Sequence, residues 1–140
     1  MYKDVFGKSV HMLSRQLKRK TDEYVAKYEI TGVQGEMIYY IYQNSQKKDI
    51  FAKDIEKKFD IRRASIAGIL HNMEKKGLIK REIVDNDARL RRIVLTKKAL
   101  ELIKEIENAI KKVEKQALKG ITKEEVETFV NIAKKMSANL

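Results

Sequence analysis

The chain has 140 residues, the size of one ordinary domain, and can bury a core without disulfides or a structural metal. It holds no cysteine, which excludes a disulfide framework, thiolate zinc sites, cysteine catalysis and thiol redox sensing, and only His11 and His71 could supply imidazole. With 31 Lys+Arg against 20 Asp+Glu the net charge is +11, which points to a polyanionic partner, nucleic acid ahead of a membrane surface. A lysine-rich surface that only serves solubility is the competing reading.

Proline is absent as well, so long uninterrupted helices are open to this chain. The opening MYKDVFGKSV has no apolar h-region, and no run of 18 apolar residues occurs. The expectation is a cytoplasmic protein that does not engage a membrane.

In chain order, Val5, Phe6, Met12, Leu13 and Leu17, running on to Tyr24 and Tyr28, carry the three-and-four spacing of a first long helix. Thr31 with Gln34 fits a capping box before a second helix containing Met37, Ile38, Ile41 and Tyr42. Residues 44–49 are polar and read as a loop. Residues 52–59 form a short helix with Ile55 and Phe59 inward, and Asp60-Ile61 separates it from a helix over about residues 62–76. The stripe of that helix is Ile66, Ile69, Leu70 and Met73, and Gly77 stands where a left-handed C′ residue ends it. Two short helices so close together outline a helix-turn-helix.

Two strand-like runs, residues 78–84 and 91–95, flank the cluster Asp85-Asn86-Asp87-Ala88 and predict a β-hairpin, hence a wing. Thr96 then caps a third long helix with Ile103, Ile106, Ile110, Val113 and Ala117 as its stripe, about 23 residues and roughly 34 Å long. That exceeds what a small winged domain needs, so part of its face is expected to pack on another chain. Gly120 ends it, and Thr122 with Glu125 opens a last helix bearing Val126, Phe129, Val130, Ala133 and Met136.

The basic excess is nearly even along the chain: +4 over residues 1–48, +4 over 49–95 and +3 over 96–140. Arginine is not even. Six of the eight (Arg62, Arg63, Arg81, Arg89, Arg91 and Arg92) fall between positions 62 and 92. The planar guanidinium suits bidentate contact with phosphate and guanine edges, whereas lysine acts as a hydrated point charge. The alternative is that these arginines are held in internal ion pairs with Glu82, Asp85 and Asp87.

With Ile66, Ile69, Leu70 and Met73 inward, Ala64, Ala67, Gly68, His71 and Asn72 face outward, with Arg63 and Ser65 at the flanks. Small residues let a helix backbone approach a groove floor. Arg62, Arg63, Ser65, His71 and Asn72 are then the candidate readers, with Ala64 or Ala67 available to thymine methyls. Gly68 can equally be a mere filler of its helix position, and His71 a surface residue. No carboxylate pair, Ser/His/Asp set or glycine-rich phosphate loop occurs, so neither an enzyme nor a cofactor or metal site is expected.

The segment from Asp54 to Arg81, DIEKKFDIRRASIAGILHNMEKKGLIKR, resembles the winged helix-turn-helix of the multiple-antibiotic-resistance regulator (MarR) family. The continuation DNDARLRRIVLT, Asp85 to Thr96, is similar to that family's wing, in which Asp-x-Arg precedes an apolar strand ending Leu-Thr. By motif the likeness covers about residues 30–100; the flanking helices agree in order only. The resemblance implies a mainly α fold with a small β-wing, a winged helix-turn-helix flanked by long N- and C-terminal dimerisation helices. Its segments would be 1–30, 31–96 and 97–140, integrated into one domain.

It further implies a homodimer on a pseudo-palindromic double-stranded DNA operator, with helix 62–76 in the major groove and Arg89 as the wing arginine, held by Asp87. Arg91 and Arg92 complete the candidate wing contacts. Departures from the family pattern are Asp60 at the turn, Arg62 in place of a hydroxyl residue before the recognition helix, and Ala99 in place of a glycine. The family's phenolic or aromatic acid effectors suggest a small-molecule pocket, for which His11, Arg15 and Tyr39 are the candidates, dimer core and surface being the alternative. The expected function is a sequence-specific transcription regulator, a repressor released by such a ligand. The competing class is a winged protein-interaction module docking an acidic partner. RNA binding is disfavoured by the scarcity of aromatics.

Overall fold

The computed structural model describes the backbone of residues 2–140 and the side chains of residues 5–140. Six α-helices and one hairpin follow in the order α1 (Tyr2–Val25), α2 (Gly32–Asn44), α3 (Ala52–Phe59), α4 (Arg63–Lys75), β1 (Ile79–Val84), β2 (Asp87–Leu95), α5 (Lys97–Ala117) and α6 (Lys123–Asn139). A 3-10 turn at Ala26–Tyr28 links α1 to α2. The architecture is mainly helical with a two-stranded antiparallel wing, as expected.

Local chemistry sets the boundaries. At the start of α2 the Thr31 hydroxyl accepts the Gln34 N–H at 3.2 Å, and Gln34 Oε1 accepts the Thr31 N–H at 3.1 Å. Asp22 Oδ1 takes the Gly32 N–H at 2.6 Å, tying α1 to the same helix end. α3 opens with the Phe51 N–H donating to Asp54 at 2.8 Å and closes at Asp60, which takes up φ +50°. A left-handed aspartate is tolerable because its short side chain is among the few that favour that region.

α4 ends in a Schellman motif, with the Leu78 N–H on Met73 O and the Gly77 N–H on Glu74 O, Gly77 having φ +73°. Thr96 caps α5 by accepting the Ala99 N–H, and its hydroxyl donates to the Gly77 carbonyl at 2.6 Å. One threonine thus joins the exit of the wing to the end of α4.

Some boundaries differ from the sequence reading. α4 begins at Arg63, with Arg62 as an N-cap that makes no side-chain capping bond. α5 stops at Ala117, so it is 21 residues long, because the chain turns through Leu118 to Gly120 at φ +78°. The second wing strand begins at Asp87 rather than Arg91, leaving only Asp85-Asn86 as the turn. The Asp/Asn cluster masked this: its C-terminal half is extended, paired backbone.

One core cluster runs from Val25 to Ala109. Met37, Ile38 and Ile41 of α2, Ile55 of α3, Ile66, Leu70 and Met73 of α4, and Ile106 of α5 are all fully buried. Each such side chain contributes about 1.5–3 kcal/mol on leaving water. Leu78, Ile79 and Ile93 anchor the wing base in this core, and the Ile93 N–H reaches the Ile50 carbonyl at 2.7 Å.

The terminal helices are different. α6 has no buried residue and hardly touches the rest of its own chain. Its Phe129, Val130, Ile132 and Met136 are exposed, as are Val5, Phe6, Val10, Met12 and Leu13 of α1. None of the described helices is long and apolar enough to cross a membrane.

Candidate nucleic-acid interface

The outward face of α4 is as its periodicity predicts. Arg62, Arg63, Ala64, Ser65, Ala67, Gly68, His71 and Asn72 are all exposed, while Ile66, Leu70 and Met73 are buried. A Cβ added at Gly68 would meet no heavy atom within 4 Å. The fold therefore does not require glycine there, although it costs the helix about 1 kcal/mol relative to alanine. The first turn of α4 has neither an acidic side chain nor a side-chain cap. Its free N–H groups and dipole favour an anion at that end, and Arg62 and Arg63 stand beside it.

Asn72 sits on this face but its Oδ1 points back to Gln34 of α2, whose Nε2 donates to it at 2.7 Å. Lys76 Nζ, one turn further on, reaches Gln34 Oε1 at 3.1 Å and Glu29 O at 2.9 Å. Sequence reasoning missed Gln34 and Lys76 as a pair because 42 residues separate them. The capping-box pattern flagged Gln34 for a local task, and the long-range task shares its Oε1 and adds its Nε2.

In the wing, β1 and β2 pair regularly from Ile79↔Leu95 to Ile83↔Arg91, and then Val84 pairs with Asp87. Residues Ala88, Arg89 and Leu90 form the extra segment of this irregular register, so Arg89 stands on a bulge at the wing tip. Its side chain is 95% exposed. Asp87 Oδ1 accepts the Arg89 backbone N–H at 2.9 Å, and the Arg89 Nε lies 3.9 Å from the same oxygen. The aspartate orders the backbone of the bulge more than it restrains the guanidinium.

The six clustered arginines therefore divide. Arg62, Arg63 and Arg89 are open to solvent, and no ion pair involves Arg62 or Arg63 among the described residues. Arg91 curls onto the wing, donating to the carbonyls of Ala88 and Leu90. Arg92 is held between Glu82 at 3.5 Å and Asp49 at 3.7 Å, and Arg81 faces Glu74 at 3.7 Å. Internal pairing thus accounts for Arg92, with Asp49 a partner that sequence order hid. Neither Asp85 nor Asp87 pairs with it among the described residues.

An apolar groove of about 610 Å³ lies among α1, α2 and α6. Val10, Leu13, Leu17, Val33 and Phe129 give it an apolar lining, with Lys18 and Glu36 as its charged residues. His11, Arg15 and Tyr39 do not line it. On α1 the groove takes positions 9, 10, 13, 14, 17, 18 and 21, and steps of 100° carry 11 and 15 off that face. Tyr39 packs at the edge of the core, near Lys111 of α5. Glu36 stays accessible to solvent, yet desolvation in the groove raises its carboxyl pKa above the ordinary value, and Asp22 adds to the shift.

Among the described residues no group of three or more His, Asp or Glu could hold a metal ion.

A family model described as the MarR family matches residues 28–90, the span from the 3-10 turn through the wing tip. The transcription regulator MarR from Oenococcus oeni PSU-1 is 31% identical, with 94% of this chain and 98% of that chain covered at a TM-score of 0.80. S. aureus MepR, solved as a DNA complex, is 26% identical over 96% of this chain and 98% of its own, with a TM-score of 0.89. A mutant E. coli MarR solved with operator DNA shares the fold at 20% identity, covering 97% of each chain with a TM-score of 0.85. With 31% identity over 94% of its length and a family model matched at residues 28–90, the chain belongs to the MarR family of transcription regulators.

Proposed function

We propose that the protein is a homodimeric repressor that binds a pseudo-palindromic double-stranded DNA operator and is released by a small ligand. The observation that carries the DNA-binding part is the division of the arginines. Those tied at the wing base, Arg81 and Arg92, build the hairpin, whereas Arg62, Arg63 and Arg89 stand open at the start of α4 and at the wing tip. α4 would enter a major groove, Ser65 and His71 facing base edges and Ala67 and Gly68 allowing close approach. Arg89 would reach the adjacent minor groove. That S. aureus MepR, 26% identical, is solved as a DNA complex supports this reading.

The exposed apolar faces of α1 and α6 support a dimer built from the terminal helices. Two-fold symmetry then places two α4 helices on half-sites about one helical turn apart. The groove among α1, α2 and α6 supplies an apolar site between these helices and the winged unit. An aromatic ligand there would release DNA by favouring a spacing of the α4 helices that does not fit the operator, to the extent that it binds that state more tightly.

The test is titration of the protein against promoter-derived and random-sequence duplexes at several salt concentrations. Groove binding gives a log K that falls with log salt by about 0.9 per phosphate contacted, together with preference for an inverted repeat. A shallow slope without sequence preference would exclude the regulator mechanism and favour docking of an acidic protein partner.

A further inference from the structure

We propose that Gln34 is the positioning residue for the DNA-reading helix, and that Asn72 works with it to orient α4 instead of reading a base. This rests on the DNA-binding reading above. Gln34 is a buried polar residue of α2, only 4% exposed, and its side-chain amide uses both ends. Oε1 accepts the Thr31 N–H and Lys76 Nζ, both at 3.1 Å, and Nε2 donates to Asn72 Oδ1 at 2.7 Å. Asn72 lies in the last turn of α4 and Lys76 is its C-cap, four residues on, so one amide of α2 grips the end of that helix at two points.

The polarity of this contact is forced. Two donors converge on Oε1, so only the NH₂ end of Gln34 remains to face Asn72, which must answer with its oxygen. Bidentate recognition of adenine needs an asparagine whose Oδ1 and Nδ2 both face the base. Here Oδ1 is turned inward. Anchored on the buried Gln34, such a contact is directional where the apolar stripe beneath α4 is not. Ile66, Leu70 and Met73 hold the helix down by packing alone, and the amide adds a directional restraint on its rotation.

The position of Gln34 adds a consequence for release. A small cleft between α2 and α4 is lined by Lys18, Val33, Gln34 and Asn72, and Lys18 and Val33 also line the larger groove among α1, α2 and α6. Any shift of the α2 start that the groove imposes passes to α4 through this contact.

The experiment uses the full chain and a duplex bearing the inverted repeat selected from random-sequence DNA, with a panel of single-base-pair variants of it. Asn72→Ala and Gln34→Met are each expected to weaken binding by about tenfold, the cost of losing one well-made, part-buried polar contact. The loss should be equal across the panel, and the double variant should be no weaker than the worse single. Gln34→Glu should bind within about threefold of the parent, because its carboxylate accepts from Thr31 and Lys76 and from an Asn72 amide turned around to donate. Thermal unfolding checks that each variant folds; Asn72 is exposed, so its variant tests the idea even where Gln34→Met does not fold. A loss confined to one base pair in Asn72→Ala, or losses that multiply in the double variant, would overturn the proposal. Failure of the parent protein to select any repeat would instead remove the DNA-reading premise.

Discussion

Asp87 accepts the backbone N–H of Arg89 at 2.9 Å while the Arg89 guanidinium, 3.9 Å from the same oxygen, projects into solvent. The carboxylate shapes the bulge, and the bulge aims the arginine. Arg89→Ala is expected to weaken DNA binding by at least about tenfold and to reduce the salt slope by about two, one for each wing of the dimer, with the dimer intact by sedimentation. Asp87→Ala should also weaken binding, although it removes a negative charge from a surface that meets phosphate. Tighter binding by that variant would show that the bulge needs no ordering.

Arg63 and Arg92 separate a contact from a strut. Arg63 is open at the start of α4, whereas Arg92 lies between Glu82 and Asp49. Arg63→Ala should lower the log K against log salt slope by about 1.8, the value for two phosphates, one contacted by each protomer of the dimer. Arg92→Ala should leave the slope nearly unchanged and lower the melting temperature slightly, since the pairs it breaks are partly exposed. Equal slope changes in both variants would show that the pairs at the wing base open on DNA.

Phe129 is 60% exposed on α6, and Val5, Phe6, Val10, Met12 and Leu13 of α1 are exposed as well. Placing a charge in the surface they form should abolish association. Phe129→Glu is expected to raise the dimer dissociation constant by at least about a hundredfold, since symmetry applies the penalty twice. Sedimentation equilibrium measures this directly. A variant still dimeric wherever the parent is dimeric would place the interface elsewhere.

The pKa of Glu36 is held above its ordinary value, first by desolvation in the groove and second by Asp22. The folded chain therefore binds this proton more tightly than the unfolded chain does. The resulting stabilisation is complete below the unfolded glutamate value, about 4.3, and is lost as pH rises through the folded value. Glu36→Gln should melt at a modestly higher temperature than the parent at pH 7, with the advantage gone near pH 4. An equal difference at both pH values would mean that packing, not ionisation, separates the two.

Much of the fold follows from short-range chemistry that a sequence displays. Thr31 and Gln34, Gly77, Thr96, Thr122 and Glu125 all mark helix ends where capping geometry places them, because a cap involves residues three or four apart. The stripe of Ile66, Leu70 and Met73 likewise fixes which face of α4 is outward. The wing tip was less legible. Asp87 and Arg89 were visible as a pair, but the bulge that carries Arg89 depends on cross-strand register, and an Asp/Asn run looks alike in a turn and in a short paired segment.

The composition by itself determined that the chain uses no thiol chemistry, carries a net charge of +11 and concentrates its arginines on one helix and its hairpin. It could not say which arginines are free. Tertiary structure decided that, by bringing Asp49 to Arg92 and Glu74 to Arg81 and leaving Arg62, Arg63 and Arg89 exposed. It also placed the apolar groove away from His11, Arg15 and Tyr39 and turned Asn72 toward Gln34. The physical reason is common to all of these. Helix caps and amphipathic stripes are set by spacing along the chain, whereas the partner of a charged or amide side chain is set by which distant segment the core packs beside it.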